Sequence, residues 1–183
     1  MSDDRWIAVN PIVFQGRGFV PQSDRAFVIM PFTTRWSKCV FETVKNTLNT
    51  AGMVCLRADE QLGHSILEDI WQGLCEAAVI VADVTSKNPN VFYELGIAHV
   101  LGRRVVLLTQ EVADIPFDTR VYRHIVYNQS PRAKLNDKHM QNLARELKKT
   151  VDWILENEVL PSSGPVPTTF RLLESRRQPR RDF

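Results

Sequence analysis

Glu94 and Asn90 stand four residues apart in the segment Asn88-Pro89-Asn90-Val91-Phe92-Tyr93-Glu94-Leu95-Gly96-Ile97-Ala98. On a helix that spacing puts the carboxylate and the amide on one face. Asn88-Pro89 is a helix-start signal, because Asn caps well and Pro fits the first helical position. Val91, Leu95 and Ala98 fall on a neighbouring face suited to packing on a sheet. Gly96 is expected to remove a side chain where the helix meets a strand or a ligand. Upstream, Asp83 ends the apolar run Val79-Ile80-Val81-Ala82. A carboxylate, an amide and the N–H groups of a helix start would then gather at one strand end. Such a set can take an anion on the N–H groups and place a carboxylate against developing positive charge. The plain alternative is that Asn88 is only a cap, Asp83 a turn residue and Glu94 a solvated helix residue.

Other familiar chemistries find no support in the motifs. There is no G-x-x-x-x-G-K-[ST] and no G-x-G-x-x-G after a strand, which argues against a P-loop or dinucleotide cradle. H-E-x-x-H and G-x-S-x-G are also missing. The histidines His64, His99, His124 and His139 are scattered, and Glu94 and His99 lie on different helix faces. Cys39, Cys55 and Cys75 show no CxxC spacing, so they read as reduced core cysteines and no metal is expected.

The elements that must position these residues follow from periodicity. Ala26-Phe27-Val28-Ile29-Met30 is fully apolar and stops at Pro31, as a strand buried on both faces does. Val40, Val44 and Leu48 give a helix that ends near Gly52. Met53 to Leu56 reads as a strand, Ile66, Ile70 and Leu74 as a second helix with Ser65 as its cap, and Val79 to Ala82 as a third strand. The Asn88 helix comes next, followed by strands at Val105 to Leu108 and Ile125 to Tyr127. Met140, Leu143, Leu147, Val151 and Ile154 form one stripe of a long last helix. Strands alternating with helices predict βαβ units, hence an α/β, flavodoxin-like three-layer sandwich with a parallel sheet of about five strands. In such sheets ligands bind beyond the carboxyl ends of the strands, where strand order reverses. That rule alone selects Met30, Pro31, Phe32, Asp59, Glu60, Asp83 to Asn90, Thr109 and Gln110.

The chain has 183 residues, 44% of them hydrophobic and 24% charged, as expected of one globular domain. Residues 1–24 read as an N-terminal extension in which only Ile12-Val13-Phe14 is strand-like, and 25–158 as the domain. Residues 159–183 read as a Pro-rich linker and basic tail. From Arg171 onward the charge is +3, which leaves −1 for the rest of a chain whose net charge is +2. The basic character therefore belongs to the tail, for which a solvated end is the first expectation and contact with nucleic acid or another acidic surface the lesser one. No apolar run approaches a membrane span, and no secretory signal is visible, so a cytoplasmic location is expected.

The Asp83 to Ala98 segment resembles the active-site turn of the nucleoside 2-deoxyribosyltransferase-like group, which is distantly related to TIR-type NAD-cleaving domains. In that group a strand ends in an acid, a polar turn opens a helix, and the helix carries a catalytic Glu followed by Gly and Ala. The matching positions are Asp83, the Asn88 to Asn90 turn, and Glu94-Leu95-Gly96-Ile97-Ala98. Met30-Pro31-Phe32 is similar to the family's first strand ending, and Ile115-Pro116-Phe117-Asp118 with Tyr122 to Tyr127 resembles bacterial TIR-like members. The likeness spans roughly Ala26 to Asn128.

The resemblance implies cleavage of an N-glycosidic bond of a nucleoside, nucleotide or NAD, by hydrolysis or base exchange, without a cofactor. Glu94 would be the catalytic carboxylate. Asp83 would bind sugar hydroxyls or relay a proton to the leaving base, and Asp59 would add a hydroxyl or base contact. Met30, Pro31, Phe32, Asn88, Asn90 and Tyr93 would line the substrate site, with Trp36 also stacking on the base. Arg35 or Arg57 would assist a 5′-phosphate seated on the N–H groups from Asn88 to Val91. A homo-oligomer, such as a homodimer, is the assembly that related folds suggest. The turn carries Asn88-Pro89-Asn90 where the family usually has Asp-Ser-Gly. That departure is the ground for a second expectation, a non-catalytic nucleotide-binding sensor or adaptor.

Overall fold

The computed structural model describes residues 6–8, 19–57, 66–127, 138–157 and 169–171. In chain order the elements are β1 (Trp6–Ala8), β2 (Gln22–Ile29), α1 (Ser37–Thr50), β3 (Val54–Arg57), α2 (Ile66–Glu76) and β4 (Ala77–Asp83). They continue with α3 (Pro89–Val100), β5 (Arg104–Thr109), β6 (His124–Val126), α4 (Lys138–Asn157) and β7 (Thr169–Arg171). Five strands pair in the order β3-β2-β4-β5-β6, all parallel. The sheet is the expected α/β, flavodoxin-like arrangement.

The central strand explains itself. β4 reads Ala-Ala-Val-Ile-Val-Ala-Asp and is buried at every position, as a strand covered on both faces must be. On one face Val28, Val79, Val81 and Val106 pack with Val40, Val44 and Leu48 of α1 and with the α4 stripe from Met140 to Ile154. On the other face Phe27, Ile29, Ile80, Ala82 and Leu107 pack with Ile70 and Leu74 of α2 and with Val91, Leu95 and Ala98 of α3. Alternate residues of one strand thus feed two cores. α2 lies close because Gly73 sits over Phe27, where an added β carbon would overlap the phenyl ring. Gly52 (φ 78°) ends α1, with the Met53 N–H on the Leu48 carbonyl and the Gly52 N–H on the Asn49 carbonyl, a left-handed stop that glycine adopts without strain.

Two readings change here. Trp6–Ala8 pairs antiparallel with Thr169–Arg171, so a strand lies within each of the stretches read as an extension and a linker with tail. A three-residue strand that gains its partner across the whole chain leaves no periodic signal in sequence. β2 starts at Gln22, before the apolar run, because its polar first half pairs at the amino end of the sheet with a register shift between Gln22 and Ala26. The strand-like Ile12–Phe14 and the expected cap Ser65 lie outside the described residues. No helix among the described residues is long and apolar enough to cross a membrane.

Candidate functional site

β2 and β4 are adjacent, and the chain leaves β2 toward β3 on one side and enters β4 from α2 on the other. Their carboxyl ends therefore flank the reversal point of the sheet, where a crevice is expected. A cleft of about 390 Å³ opens there, lined by Met30, Pro31, Phe32 and Thr33 after β2, by Ile66, Leu67 and Ile70 of α2, and by Asn88, Asn90, Val91, Tyr93 and Glu94 at the start of α3. That volume is in the range of small-molecule sites. Seven of the nine residues assigned to the site from sequence line this one cleft: Met30, Pro31, Phe32, Asn88, Asn90, Tyr93 and Glu94. Phe32 and Tyr93 remain 42% and 57% exposed at its rim, as aromatic surfaces open to a flat ligand.

Glu94 is half-buried, and its carboxylate has no hydrogen-bond or ion-pair partner among the described residues. Burial alone pushes its pKa from 4.5 up to about 7. The side chain is therefore a mixture of acid and carboxylate at neutral pH. The hydrogen bonds from Tyr93 or Asn90 that would keep it ionised are not formed.

Asn88 caps α3 as its residue type predicts. Its Oδ1 accepts from the Asn90 N–H at 2.9 Å and the Val91 N–H at 3.4 Å, and Pro89 occupies the first helical position. The Phe92 N–H turns to the Asn88 carbonyl. This corrects the expected phosphate seat: Pro89 has no N–H, and the next three donors of the helix start are already taken. A side chain that caps a helix competes for the same N–H groups as an anion.

Asp83 takes a different position from the one assigned to it. Strand alternation sends its side chain to the α1/α4 face with Val79 and Val81, and it does not line the cleft. It is 1% exposed, and its carboxylate accepts from the Tyr127 hydroxyl at 2.6 Å and from the Thr85 N–H at 3.0 Å. Burial raises its pKa to about 6 against those hydrogen bonds, with Asp114 adding to the rise. The same burial and the adjacent Asp83 push the Tyr127 hydroxyl strongly upward, so it stays a donor.

The remaining assignments also move. Gly96 is exposed, and an added β carbon would meet nothing within 4 Å, so it does not mark a close approach. Trp36 packs against the α1/α4 core and does not line the cleft. The Arg57 guanidinium lies over the Phe41 ring at 3.9 Å and the Phe32 ring at 5.0 Å, which braces Phe32 from outside the cleft. Arg35 does not line the cleft either. Asp59 and Glu60 lie outside the described residues.

Sequence reasoning missed the α2 wall. Ile66 and Ile70 were read only as core, yet Ile66 and Leu67 are exposed along the cleft. The available signal was Leu67, an apolar residue at the helix start that falls off the Ile66-Ile70-Leu74 stripe. Tyr127 was missed as the partner of Asp83, although a tyrosine ending a core strand must find a partner for its hydroxyl. Among the described residues no group of three or more His, Cys, Asp or Glu is arranged to hold a metal ion. A larger depression of about 810 Å³ runs along α4 and the end of α1, with Arg145, Lys148 and Trp153 in its lining. It lies toward the amino end of the sheet, because α1 runs back along its strand, and it holds none of the groups above.

No family model matches the chain, and no curated protein matches it in sequence. Solved structures are similar at a distance, among them the following three. A 2-deoxyribosyltransferase from the psychrotolerant bacterium Bacillus psychrosaccharolyticus is 15% identical with a TM-score of 0.48, over 64% of this chain and 94% of that one. A flavo di-iron protein mutant from Thermotoga maritima is 12% identical with a TM-score of 0.46, over 71% of this chain and 38% of that one. A constitutive lysine decarboxylase from E. coli is 9% identical with a TM-score of 0.44, over 73% of this chain and 18% of that one.

Proposed function

We propose that the cleft binds a nucleoside and that Glu94 assists cleavage of its N-glycosidic bond. The observation that carries this reading is Glu94 itself: a half-buried, unpartnered carboxylate in a cleft rimmed by two exposed aromatic rings. An unpaired buried acid destabilises the fold, so its place in a crevice calls for a functional account. The transition state of N-glycosidic cleavage is oxocarbenium-like, and a carboxylate beside the anomeric carbon stabilises it as nucleophile or as counter-charge. Phe32 or Tyr93 would stack on the base, while Asn88 and Asn90 offer amides to the sugar.

The lining favours an uncharged nucleoside over a nucleoside monophosphate or NAD. Among the described residues it contains no Lys, Arg or His, its one ionisable acid is Glu94, and the α3 N–H groups are occupied. A phosphate there would face the Glu94 carboxylate with no cationic side chain among the described lining residues.

A second reading is ligand binding without turnover, as in a sensor or adaptor. It is favoured by the placement of Asp83, which leaves Glu94 as the one carboxylate that the described residues bring to the lining. The experiment that separates the two is incubation with nucleosides, nucleoside monophosphates and NAD, with free base measured by chromatography. The enzymatic reading expects base from nucleosides and a loss of at least about 100-fold in Glu94→Gln. Equal release by wild type and variant would remove the catalytic role, and calorimetric binding without base release would identify the second reading.

A further inference from the structure

We propose that Asp83 and Tyr127 are positioning residues that hold, from the far face of the sheet, the turn that seats the α3 wall of the cleft. This inference rests on the cleft geometry and not on the sugar chemistry.

The hydrogen bonds close a ring. Tyr127 Oη donates to Asp83 Oδ2 at 2.6 Å, Gln110 Nε2 donates to Tyr127 Oη at 3.3 Å, the Gln110 N–H donates to Thr85 Oγ1 at 3.1 Å, and the Thr85 N–H returns to Asp83 Oδ1 at 3.0 Å. The ring ties the end of β4, the end of β5 and the residue after β6 to one turn. Backbone bonds reinforce the strand ends: the Val84 N–H reaches the Leu108 carbonyl and the Tyr127 N–H the Thr109 carbonyl.

The turn needs such ties. Ser86 (φ 64°) and Lys87 (φ 53°) are consecutive non-glycine residues in the left-handed region, an arrangement that persists only when its surroundings fix it. The ring fixes its first residue, and Asp114 Oδ2 accepts from the Ser86 N–H at 2.8 Å to fix the second. One residue beyond the strained pair, Asn88 caps α3, and the first two turns of α3 supply Asn90, Val91, Tyr93 and Glu94 to the cleft. A displacement of the turn is therefore passed to Glu94 through a short, rigid path. The groups facing Asp83 are Tyr127 from the end of β6, Thr85 from its own turn and Asp114 from the segment after β5.

Tyr127→Phe removes the hydroxyl and keeps the ring. Amide hydrogen exchange and the titration of Glu94, followed by carbon NMR on glutamate-labelled protein, read the consequence. The expected result is faster exchange at Ser86, Asn90 and Val91 by about tenfold or more, with the β2 and β5 amides unchanged. The Glu94 pKa is expected to move from about 7 toward 4.5 as water gains access. A purely structural contribution would raise exchange evenly through the sheet and leave the Glu94 titration in place, and that result would overturn the proposal. If Tyr127→Phe does not fold, Thr85→Val cuts the same ring by an isosteric change, removing the Oγ1 that accepts from the Gln110 N–H, and must show the same confined pattern. An unchanged Glu94 titration in that variant refutes the proposal equally.

Discussion

Glu94→Gln is expected to make the protein more stable, and only above a certain pH. Burial raises the Glu94 pKa from 4.5 to about 7, with no compensating partner. The folded state therefore holds this proton more tightly than the unfolded chain does. Below about pH 4.5 both states carry it and nothing is lost. Between 4.5 and 7 the unfolded chain ionises first, and stability falls as pH rises. Above about 7 the loss is complete. At 1.36 kcal/mol per pH unit it reaches about 3 kcal/mol, and water reaching the open cleft brings the expectation to about 1–3 kcal/mol. Gln keeps the shape of the neutral acid and has no charge to desolvate, so the variant escapes this loss. For a domain of this size the gain corresponds to a rise in Tm of about 3–9 °C at pH 8. Thermal unfolding of both proteins, followed by circular dichroism from pH 4 to 8.5, measures it. The expected Tm gap is near zero at pH 4, widens through pH 6 and is constant above about 7.5. A gap that does not change with pH, or a variant less stable at pH 8, would refute the claim that Glu94 is a desolvated and unpaired acid.

Three further outcomes follow from the same geometry. Gly73→Ala forces a β carbon onto the Phe27 ring and should lower the unfolding free energy measured by denaturant titration by about 1–3 kcal/mol, although Ala is the better helix former. Asn88→Ala removes the acceptor for two N–H groups and should cost about 1 kcal/mol in the same assay. It should also let inorganic phosphate protect the protein against heat, which phosphate should not do for wild type. Asp83, raised from 3.8 to about 6, has the same linkage sign as Glu94, so Asp83→Asn should narrow the fall in wild-type Tm that a scan from pH 4 to 6.5 records.

The parallel sheet and the placement of the cleft were legible in sequence because buried parallel strands are plain aliphatic runs and because ligands in such sheets bind at strand ends. The α4 stripe and the Asn88 cap were legible for equally local reasons. The face of Asp83 was not. A strand buried on both sides has no alternation of polar and apolar residues, so nothing in Ala77 to Asp83 tells which core the last side chain joins. One residue of register decides between the cleft and the Tyr127 network. The α2 wall was illegible for a different reason: a helix stripe shows that a face is buried, not where along the sheet the exposed flank comes to rest. The occupied N–H groups of α3 were legible in principle, since the same Asn88 that marks the helix start consumes the donors that an anion would need.

The location of Asp83 also bears on how a nucleoside would react in this cleft. Glycoside cleavage commonly uses two carboxyl groups, one as acid and one as nucleophile or base. Here the second carboxylate is buried behind the sheet on Tyr127 and Thr85, and its raised pKa owes nothing to Glu94. One carboxylate cannot attack and donate a proton in the same step. An alcohol leaving group would then depart unassisted, whereas a heterocyclic base can spread its negative charge over the ring or take a proton from water. A single acid, as the described lining supplies, thus suits N-glycosides better than O-glycosides. It also fixes the form of the pH–rate profile. Only ionised Glu94 can act, so kcat/KM for nucleoside cleavage should climb with a single apparent pKa near 7 and then level off. A falling limb at higher pH would reveal a required proton donor from outside the described lining, and a profile flat from pH 5 to 8 would mean that the ionised carboxylate does not take part.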